Sequence, residues 1–151
     1  MTAPRYQDID PEKIATVDVG GVSVKVLAGK VGDVKGAVDT GATDPTYLDV
    51  HLPAGSFFLQ PINAGYSAFV YVYDGEATIG AGASAKTLKR SELGVLSDGE
   101  EIRVAADAAS SRLLIIAGKP LGEPVARYGP FVMNTMDEIR KAAEDYMAGR
   151  F

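Results

Sequence analysis

The feature of this sequence that most limits its fold is a series of short alternating runs between residues 22 and 118. Apolar and polar residues alternate within most runs, and Gly, Asp, Asn or Pro interrupts the series at roughly eight- to twelve-residue spacing. Alternation places one set of side chains on each face of a strand, and frequent turns join strands into antiparallel sandwiches or barrels. A mostly β chain is therefore predicted, with strands over residues 22–28, 47–52, 56–60, 67–73, 76–80, 86–92, 101–105 and 112–118.

Several segments between or before these runs carry turn signals. Asp74-Gly75 predicts a hairpin, because glycine adopts a positive φ without steric cost. Residues 31–45 are rich in Gly, Asp and Thr and predict a long connection that joins sheets or closes one end of the fold. Residues 80–85 lack the third glycine of a dinucleotide-binding loop and predict a turn, and residues 10–13 predict one helical turn with an Asp cap.

One α-helix is predicted near the end of the chain, over about residues 136–148. Thr135 and Glu138 have the spacing of a capping box, and Gly149 suits the position after the last turn. Asp137 and Lys141 predict an ion pair on the solvent face. The apolar residues at helical spacing, which predict the packed face, are Met136, Ile139, Ala143 and Tyr146.

The composition excludes several classes of function. The 151 residues are 46% hydrophobic, enough for one core, and a single domain over residues 1–151 is predicted. With 15 basic and 20 acidic side chains and no basic run longer than Lys89-Arg90, the chain is not expected to bind nucleic acid. No apolar stretch approaches the roughly 20 residues of a membrane-spanning helix, and no signal-peptide pattern is present, so a cytoplasmic protein that does not bind membranes is expected. The absence of cysteine excludes disulfides, thiol catalysis and thiolate metal sites.

Four segments carry a resemblance to a known family. Residues 120–135 read Pro-Leu-Gly-Glu-Pro-Val-Ala-Arg-Tyr-Gly-Pro-Phe-Val-Met-Asn-Thr, and residues 145–151 read Asp-Tyr-Met-Ala-Gly-Arg-Phe. Together with Pro-Arg-Tyr-Gln-Asp-Ile at residues 4–9 and Phe-Val-Tyr-Val at residues 69–72, they resemble the second half of pirins, two-cupin proteins of the cupin superfamily. The resemblance covers nearly the whole chain and implies a cupin-like antiparallel β-barrel (a double-stranded β-helix) with one C-terminal α-helix. It also implies that the family's metal-binding cupin would precede residue 1.

This resemblance raises the question of a metal site. Metal-using cupins have the motifs G-x5-H-x-H-x3,4-E-x6-G and P-x-G-x2-H, whose histidines and carboxylate hold iron, manganese or nickel. Anchoring the first motif on Gly75 and the second on residues 97–99 assigns four residues to the ligand positions. These degenerate ligand positions are Pro61, Asn63, Ala68 and Ile102. None retains a ligand of the motifs, so a barrel interior without metal or another cofactor is expected, and no flavonol dioxygenase activity from this chain alone.

The single histidine, His51, lies in a run whose alternation places it and Asp49 on the face opposite the aliphatic residues. If the aliphatic face is the core, His51 points outward. The interpretations are an exposed strand histidine beside a carboxylate, a general base shared with Asp49, or an adventitious metal site. The acidic residues around Gly99 predict a solvated turn, with an acid–base pair as the alternative. No catalytic residue is assigned.

The strand predicted over residues 67–73 is apolar on both faces. The face of Ala68 is expected to be the interior, so the opposite face carries an outward aromatic row. This row consists of Phe69, Tyr71 and Tyr73. The row predicts cover by the chain's own terminal segments or by a second cupin, and Phe131 and Met133 are further interface candidates. A homodimer, or a complex with a separate N-terminal pirin cupin, is the expected assembly.

Three functions remain open from the sequence. The first is a metal-free, noncatalytic cupin that serves as the structural or interaction half of a two-cupin assembly. The second is part of a quercetin 2,3-dioxygenase, an activity that the resemblance to pirins implies. The third is a small-molecule binding module that uses the apolar interior around Val70, Val72 and Ile102.

Overall fold

A computed structural model of the protein describes residues 6–38 and 41–150. Pro4 and Arg5 of the segment 4–9, and residues 39–40 of the predicted connection 31–45, lie outside the described residues. The chain divides into two compact units at Pro120. Within the described residues, no helix is long and apolar enough to cross a membrane. That the whole chain is one domain stays a prediction.

The strands of the first unit are β1 (Ala15–Val19), β2 (Val22–Ala28), β3 (Lys30–Val31), β4 (Val34–Lys35), β5 (Thr46–Leu52), β6 (Ser56–Pro61), β7 (Ser67–Asp74), β8 (Glu76–Ile79), β9 (Lys86–Lys89), β10 (Leu93–Val95), β11 (Glu101–Ala106) and β12 (Ser111–Gly118). Single 3-10 turns cover Pro11–Lys13 and Gly82–Ser84. The second unit contains β13 (Ala126–Tyr128), β14 (Phe131–Met133) and α1 (Met136–Met147). The predicted mostly β chain with one helix is confirmed.

Two main antiparallel sheets build most of the first unit, and β3 and β4 form a separate two-stranded sheet. The larger has the strand order β1-β2-β5-β12-β7-β10, and the smaller has the order β6-β11-β8-β9. One apolar cluster includes Val24, Val50 and Ile115 from the larger sheet and Phe58 and Val104 from the smaller. Each of these side chains is at most 2% exposed, so the core lies between the two sheets.

Seven of the eight predicted strands agree with the structure to within one residue at each end, and the strand predicted over residues 86–92 does not. β9 ends at Lys89, the chain turns, and β10 begins at Leu93 in the other sheet. Ser91 has a φ of 69°, and the carboxylate of Glu92 accepts a hydrogen bond from the Lys89 amide at 2.8 Å. The turn therefore depends on a left-handed serine, a conformation that the pattern of alternation does not indicate.

The two predicted turns have different outcomes. The hairpin predicted at Asp74-Gly75 is wrong: β7 and β8 belong to different sheets and pair with other strands. Gly75 still forms the tight turn between them, with a φ of 72°, and a Cβ atom there would lie 2.5 Å from the carbonyl oxygen of Ser110. The turn at Pro11–Lys13 also forms with Asp10 at the N-cap position, but the Asp10 side chain makes no capping hydrogen bond. The Asp10 carboxylate instead pairs with the Lys13 ammonium at 2.8 Å, because both side chains are exposed three residues apart.

The predicted start and end of the helix are confirmed at α1. The Thr135 hydroxyl accepts a hydrogen bond from the Glu138 amide at 3.3 Å, and the Glu138 carboxylate accepts one from the Thr135 amide at 2.9 Å. This is the reciprocal capping box that the sequence predicts. Gly149 follows the helix with a φ of 66°, which suits the left-handed position after the last turn.

The ion pair predicted between Asp137 and Lys141 on this helix is wrong. Asp137 pairs with Arg140, and Lys141 pairs with Asp145 at 3.3 Å. Asp145 also accepts two hydrogen bonds from the guanidinium of Arg150, and these bonds hold the pKa of its carboxyl below the usual range. Asp145, near the end of the helix, therefore pairs with two basic residues, Lys141 and Arg150.

Candidate functional site

A cavity of about 400 Å³ opens in the first unit. It lies between the two sheets, since β7 and β10 of the larger sheet and β8, β9 and β11 of the smaller one all contribute to its lining. The apolar residues of the lining are Ile62, Ala68, Ile79, Leu88, Val95, Leu96 and Ile102. All except the exposed Val95 belong to the core cluster or pack against it. The cavity is therefore a place where the apolar core opens to solvent.

The four residues that align with cupin metal ligands do not meet in one site. Ala68 and Ile102 line this cavity and are 8% and 5% exposed. Pro61 and Asn63 are exposed and line a second cavity of about 620 Å³. Ile62 contributes to both linings.

The assignment of Pro61 and Asn63 to the histidine positions is out of register by one residue. β6 buries Gln60 and exposes Pro61, because side chains alternate between the faces of a strand. Gln60 lies opposite Ile102 where β6 pairs with β11. Gln60 and the half-buried Ile62 therefore occupy the inward positions of this segment. Both faces of β6 carry apolar residues, so the sequence pattern alone could not fix the register.

The inward residues do not fit a divalent metal. Iron, manganese and nickel take imidazole or carboxylate ligands in such sites, and Ala68 and Ile102 carry no donor atom in their side chains. The amide nitrogen of Gln60 donates hydrogen bonds to the carbonyl oxygens of Lys30 at 3.2 Å and Pro61 at 3.1 Å. Across the described part of the chain, no group of three His, Cys, Asp or Glu side chains is placed to hold a metal ion.

An acidic side chain ties two loops together beside the 400 Å³ cavity. The Asp98 carboxylate oxygen Oδ1 accepts hydrogen bonds from the amides of Gly65 at 2.6 Å and Gly99 at 3.0 Å. The Tyr66 hydroxyl, also in the lining, donates to Asp44 at 3.0 Å. Asp98, one of the acidic residues around Gly99, is thus used in loop structure, which agrees with the interpretation of this segment as a turn.

Two basic residues in the cavity lining were not singled out by the sequence reasoning. Arg103 donates from Nη1 to the carbonyl oxygen of Gly80 at 3.1 Å, and its guanidinium lies 5.3 Å from the centre of the Phe57 ring. Lys86 lies opposite Ile79 where β9 pairs with β8. The signal for Lys86 was present in the sequence, because it alternates with Leu88 and so shares the inward face of its strand.

A separate polar group lies on the outer face of the larger sheet. The Tyr73 hydroxyl donates to Oδ1 of Asp49 at 2.7 Å, and Nε2 of His51 lies 3.1 Å from that hydroxyl and 3.3 Å from that carboxylate oxygen. The outward orientation of His51 is confirmed, since its neighbours Val50 and Leu52 are buried. Partial burial and the hydrogen bond to Asp49 raise the pKa of the Tyr73 hydroxyl. None of the three polar side chains lines either cavity, so they form a hydrogen-bonded surface group.

The outward aromatic row is confirmed, and it forms part of a larger apolar surface. Phe69, Tyr71 and Tyr73 are half-buried on the outer side of β7. Strand pairing aligns two rows, Tyr47-Ile116-Phe69-Val95 and Leu114-Tyr71-Leu93, which together are named the outer apolar face. Val95 is 80% exposed and Leu93 is 51% exposed. The alternation pattern missed these two because β10 was not predicted as a strand.

The second unit also presents apolar side chains. The proposed interface residues Phe131 and Met133 are half-buried, and the rings of Phe131 and Tyr146 meet edge to face at 6.1 Å. On the predicted apolar stripe of α1, Ile139 is buried, whereas Tyr146 is 67% exposed. Other exposed large apolar residues of this unit are Leu121, Val125, Tyr128, Val132, Met136 and Met147.

Two antiparallel sheets around an open apolar core are the architecture of a cupin. The crystal structure of quercetin 2,3-dioxygenase from Acinetobacter baumannii superimposes on this chain with a TM-score of 0.84 at 31% identity. The match covers 97% of this chain and 50% of that protein. The predicted cupin fold is therefore confirmed.

The sequence profile of the pirin C-terminal cupin domain matches residues 47–151. A pirin-like protein of Solanum lycopersicum is 40% identical over 151 residues, which cover 99% of this chain and 51% of that protein. Pirin of Homo sapiens is 37% identical over 147 residues, which cover 97% of this chain and 50% of that protein. This chain belongs to the pirin family and corresponds to its C-terminal cupin, and it spans about half the length of the relatives that it matches.

Proposed function

We propose that this chain is a metal-free, noncatalytic pirin cupin that serves as the structural or interaction half of a two-cupin assembly. The observation that carries the proposal is the outer apolar face, which extends across β5, β12, β7 and β10. An antiparallel sheet that faces water on one side normally alternates apolar with polar residues, and this sheet does not do so along β7. An apolar surface of this kind, exposed at Leu93 and Val95 and half-buried along β7 and β12, typically marks a surface that binds another protein.

A second cupin is the partner that we favour for this surface. The relatives are about twice as long as this chain, which supports a partner of similar size and fold. The partner is either a second copy of the chain or an N-terminal pirin cupin that retains metal ligands. In the latter case, the similarity to a quercetin 2,3-dioxygenase supports an assembly with that activity, and the partner would supply the metal. The role of this chain would be to hold and cover the partner.

Light scattering tests this proposal directly. The unmodified chain is expected to form a dimer, or to bind a metal-containing N-terminal pirin cupin when the two are mixed. Tyr71→Asp, in the middle of the outer apolar face, should give a smaller particle with an unchanged circular dichroism spectrum. Thr16→Asp is the matched control. Thr16 lies on β1 in the same row across the larger sheet as Tyr71, but at the opposite edge, where it is exposed. This substitution should leave the assembly intact. A chain that remains monomeric alone and with the N-terminal cupin would refute the proposal.

The 400 Å³ cavity favours a second candidate function, the binding of a small molecule. Ligand sites are typically cavities of about this size with an apolar lining and a few polar groups at the opening. Ala68 lies in the apolar lining and is 8% exposed, so Ala68→Leu should fill part of the space. A thermal-shift screen that finds ligands of the unmodified chain but not of Ala68→Leu would support this function.

A further inference from the structure

We propose that the 400 Å³ cavity binds a small organic anion with a compact apolar body and a single carboxylate, and that Lys86 forms the ion pair with this carboxylate. The inference rests on the second candidate function above, because it names the ligand class of the same cavity. Its basis is the contrast between an apolar lining and one basic side chain placed on the inward face of an edge strand.

The position of Lys86 follows from the geometry of β9. This strand is the edge of the smaller sheet, and Lys86 pairs with Ile79 of β8, a residue that is 8% exposed. Because side chains alternate along a strand, Lys86 shares its face with Leu88, which packs against the core, while Lys89 lies on the opposite face. Lys86 can therefore lay its aliphatic stem along the apolar lining and hold its ammonium group at the opening.

Lys86 is also the cation at this opening that is available to a ligand. Arg103 already donates to the Gly80 carbonyl oxygen and stacks on Phe57. Neither residue forms an ion pair with any of the described residues, but these two contacts fix the Arg103 guanidinium, whereas Lys86 is exposed and makes no such contact. A ligand carboxylate bound over the apolar lining would pair with the Lys86 ammonium group and partly shield it from water.

The acidic residues of the lining do not offer an equivalent site for a cation. Oδ1 of Asp98 already accepts hydrogen bonds from two backbone amides, Gly65 and Gly99. Glu101 is exposed and neighbours the buried Ile102, so it lies on the other face of β11. The net charge of −5 disfavours general binding of anions, so an anion that binds must be held by a specific group.

The apolar lining determines which kind of ligand body fits the cavity. Ala68 contributes only a methyl group to the lining. Gly94 has no side chain, and Leu88 packs beside it. A Cβ atom on Gly94 would lie 2.9 Å from a methyl carbon of Leu88, so the absence of a side chain there lets Leu88 occupy its place in the wall. One or two fused rings in such a cavity bury apolar surface against its lining, which favours binding in proportion to the area removed from water.

Inward charges on edge strands have another known role, which is to discourage pairing with other strands. If Lys86 served only this purpose, replacing it would change association of the protein and leave ligand affinity unchanged. The two roles therefore predict different measurements on the same variant.

The experiment compares three probes with one ring system and different charge: naphthoate, neutral naphthamide and cationic naphthylmethylammonium. Their affinities for the full chain are measured by isothermal titration calorimetry at low ionic strength. Naphthoate should bind most tightly. Lys86→Gln should weaken naphthoate binding about tenfold, the size of a partly desolvated ion pair, and leave naphthamide binding unchanged. Lys89→Gln, on the opposite face of the same strand, should change neither.

The possible outcomes separate the ligand class from the binding function. If naphthamide or the cation binds as tightly as naphthoate, or if Lys86→Gln and Lys89→Gln act alike, the anion inference is wrong while small-molecule binding stands. A change in particle size for Lys86→Gln without loss of naphthoate affinity assigns Lys86 to edge protection and also overturns the inference. If no probe binds, and Ala68→Leu behaves like the unmodified chain in the thermal-shift screen, the binding function itself fails. Circular dichroism of each variant checks that the fold is intact.

Discussion

The Tyr73 hydroxyl lies 2.7 Å from Oδ1 of Asp49, although the two residues belong to β7 and β5, which β12 separates in the larger sheet. The phenol ring therefore reaches across a whole strand to its partner. His51 completes the group from the same strand as Asp49, with Nε2 3.1 Å from the hydroxyl. This bridge joins β5 to β7 across β12, at the polar end of the outer apolar face.

Removal of this bridge should lower stability. We expect Tyr73→Phe to reduce the free energy of unfolding by about 1–2 kcal/mol, because hydrogen bonds to charged groups contribute more than neutral ones. Tyr71→Phe is the matched control: it removes a hydroxyl from the same strand face for which the described residues provide no hydrogen bond. Urea denaturation measures both variants. Equal losses would show that the Asp49 bridge contributes nothing specific.

The same bridge should make stability depend on pH in the alkaline range. Partial burial and the hydrogen bond to Asp49 raise the pKa of Tyr73 above its ordinary value of about 10, so the folded state favours the neutral phenol. Its contribution is complete below about pH 10 and is lost as the pH rises further, since the unfolded chain then releases the proton first. Phenolate absorbance should show a late-titrating tyrosine that disappears in Tyr73→Phe and titrates earlier in Asp49→Asn. An unshifted titration curve for Asp49→Asn would contradict this assignment.

The tight turn between β7 and β8 should tolerate no side chain at Gly75. Gly75, with a φ of 72°, and Gly55, with a φ of 74°, both adopt the left-handed backbone conformation. A Cβ atom on Gly75 would lie 2.5 Å from the carbonyl oxygen of Ser110, whereas a Cβ atom on Gly55 would have no other atom within 4 Å. Gly55→Ala should cost about 1–2 kcal/mol for the backbone conformation alone, and Gly75→Ala about 1–3 kcal/mol more for the steric clash. Thermal unfolding of the two variants measures the difference. Similar losses would mean that the backbone shifts freely at Gly75.

The capping box should control the start of α1. Thr135→Ala removes the acceptor for the Glu138 amide and should destabilise the helix by about 1 kcal/mol. Thr135→Ser retains the hydroxyl and should behave like the unmodified chain. Because the effect is local, amide hydrogen exchange in the first turn of α1 is the appropriate measurement. Faster exchange in both variants would show that the threonine methyl group, and not its hydroxyl, matters.

Metal content tests the noncatalytic role. We expect no stoichiometric metal in untagged protein by elemental analysis, because the inward residues Ala68 and Ile102 offer no donor atoms and the described residues contain no group of three His, Cys, Asp or Glu side chains placed to hold a metal ion. We also expect no turnover of quercetin by this chain alone. Iron or nickel near one atom per chain that survives dialysis against a chelator would overturn this prediction and favour the dioxygenase alternative.

Much of this protein could be predicted from its sequence because the determining interactions are local. Alternation located the strand that buries Val50 and Leu52, and Thr135 with Glu138 located the start of the helix. Gly75 located a turn through its own backbone freedom, although the strands on either side of it lie in different sheets and do not form the predicted hairpin. The segments that resemble pirins indicated the family, and the absence of histidine beyond His51 determined that the cupin ligand motif was incomplete.

What only the tertiary structure decided concerns residues far apart in the chain. The inward positions proved to be Gln60 and Ile62, because pairing of β6 with β11 set a register that the apolar residues on both faces of β6 left undefined. The turn at Ser91, whose φ is positive, lets β10 join the larger sheet. There β10 pairs with β7 and extends the aromatic row into the outer apolar face. Lys86 faces the cavity because β9 pairs with β8, which places Lys86 opposite the buried Ile79. Caps, turns and alternation are fixed by interactions within a few residues, whereas register, sheet edges and cavities depend on contacts between strands that no short segment contains.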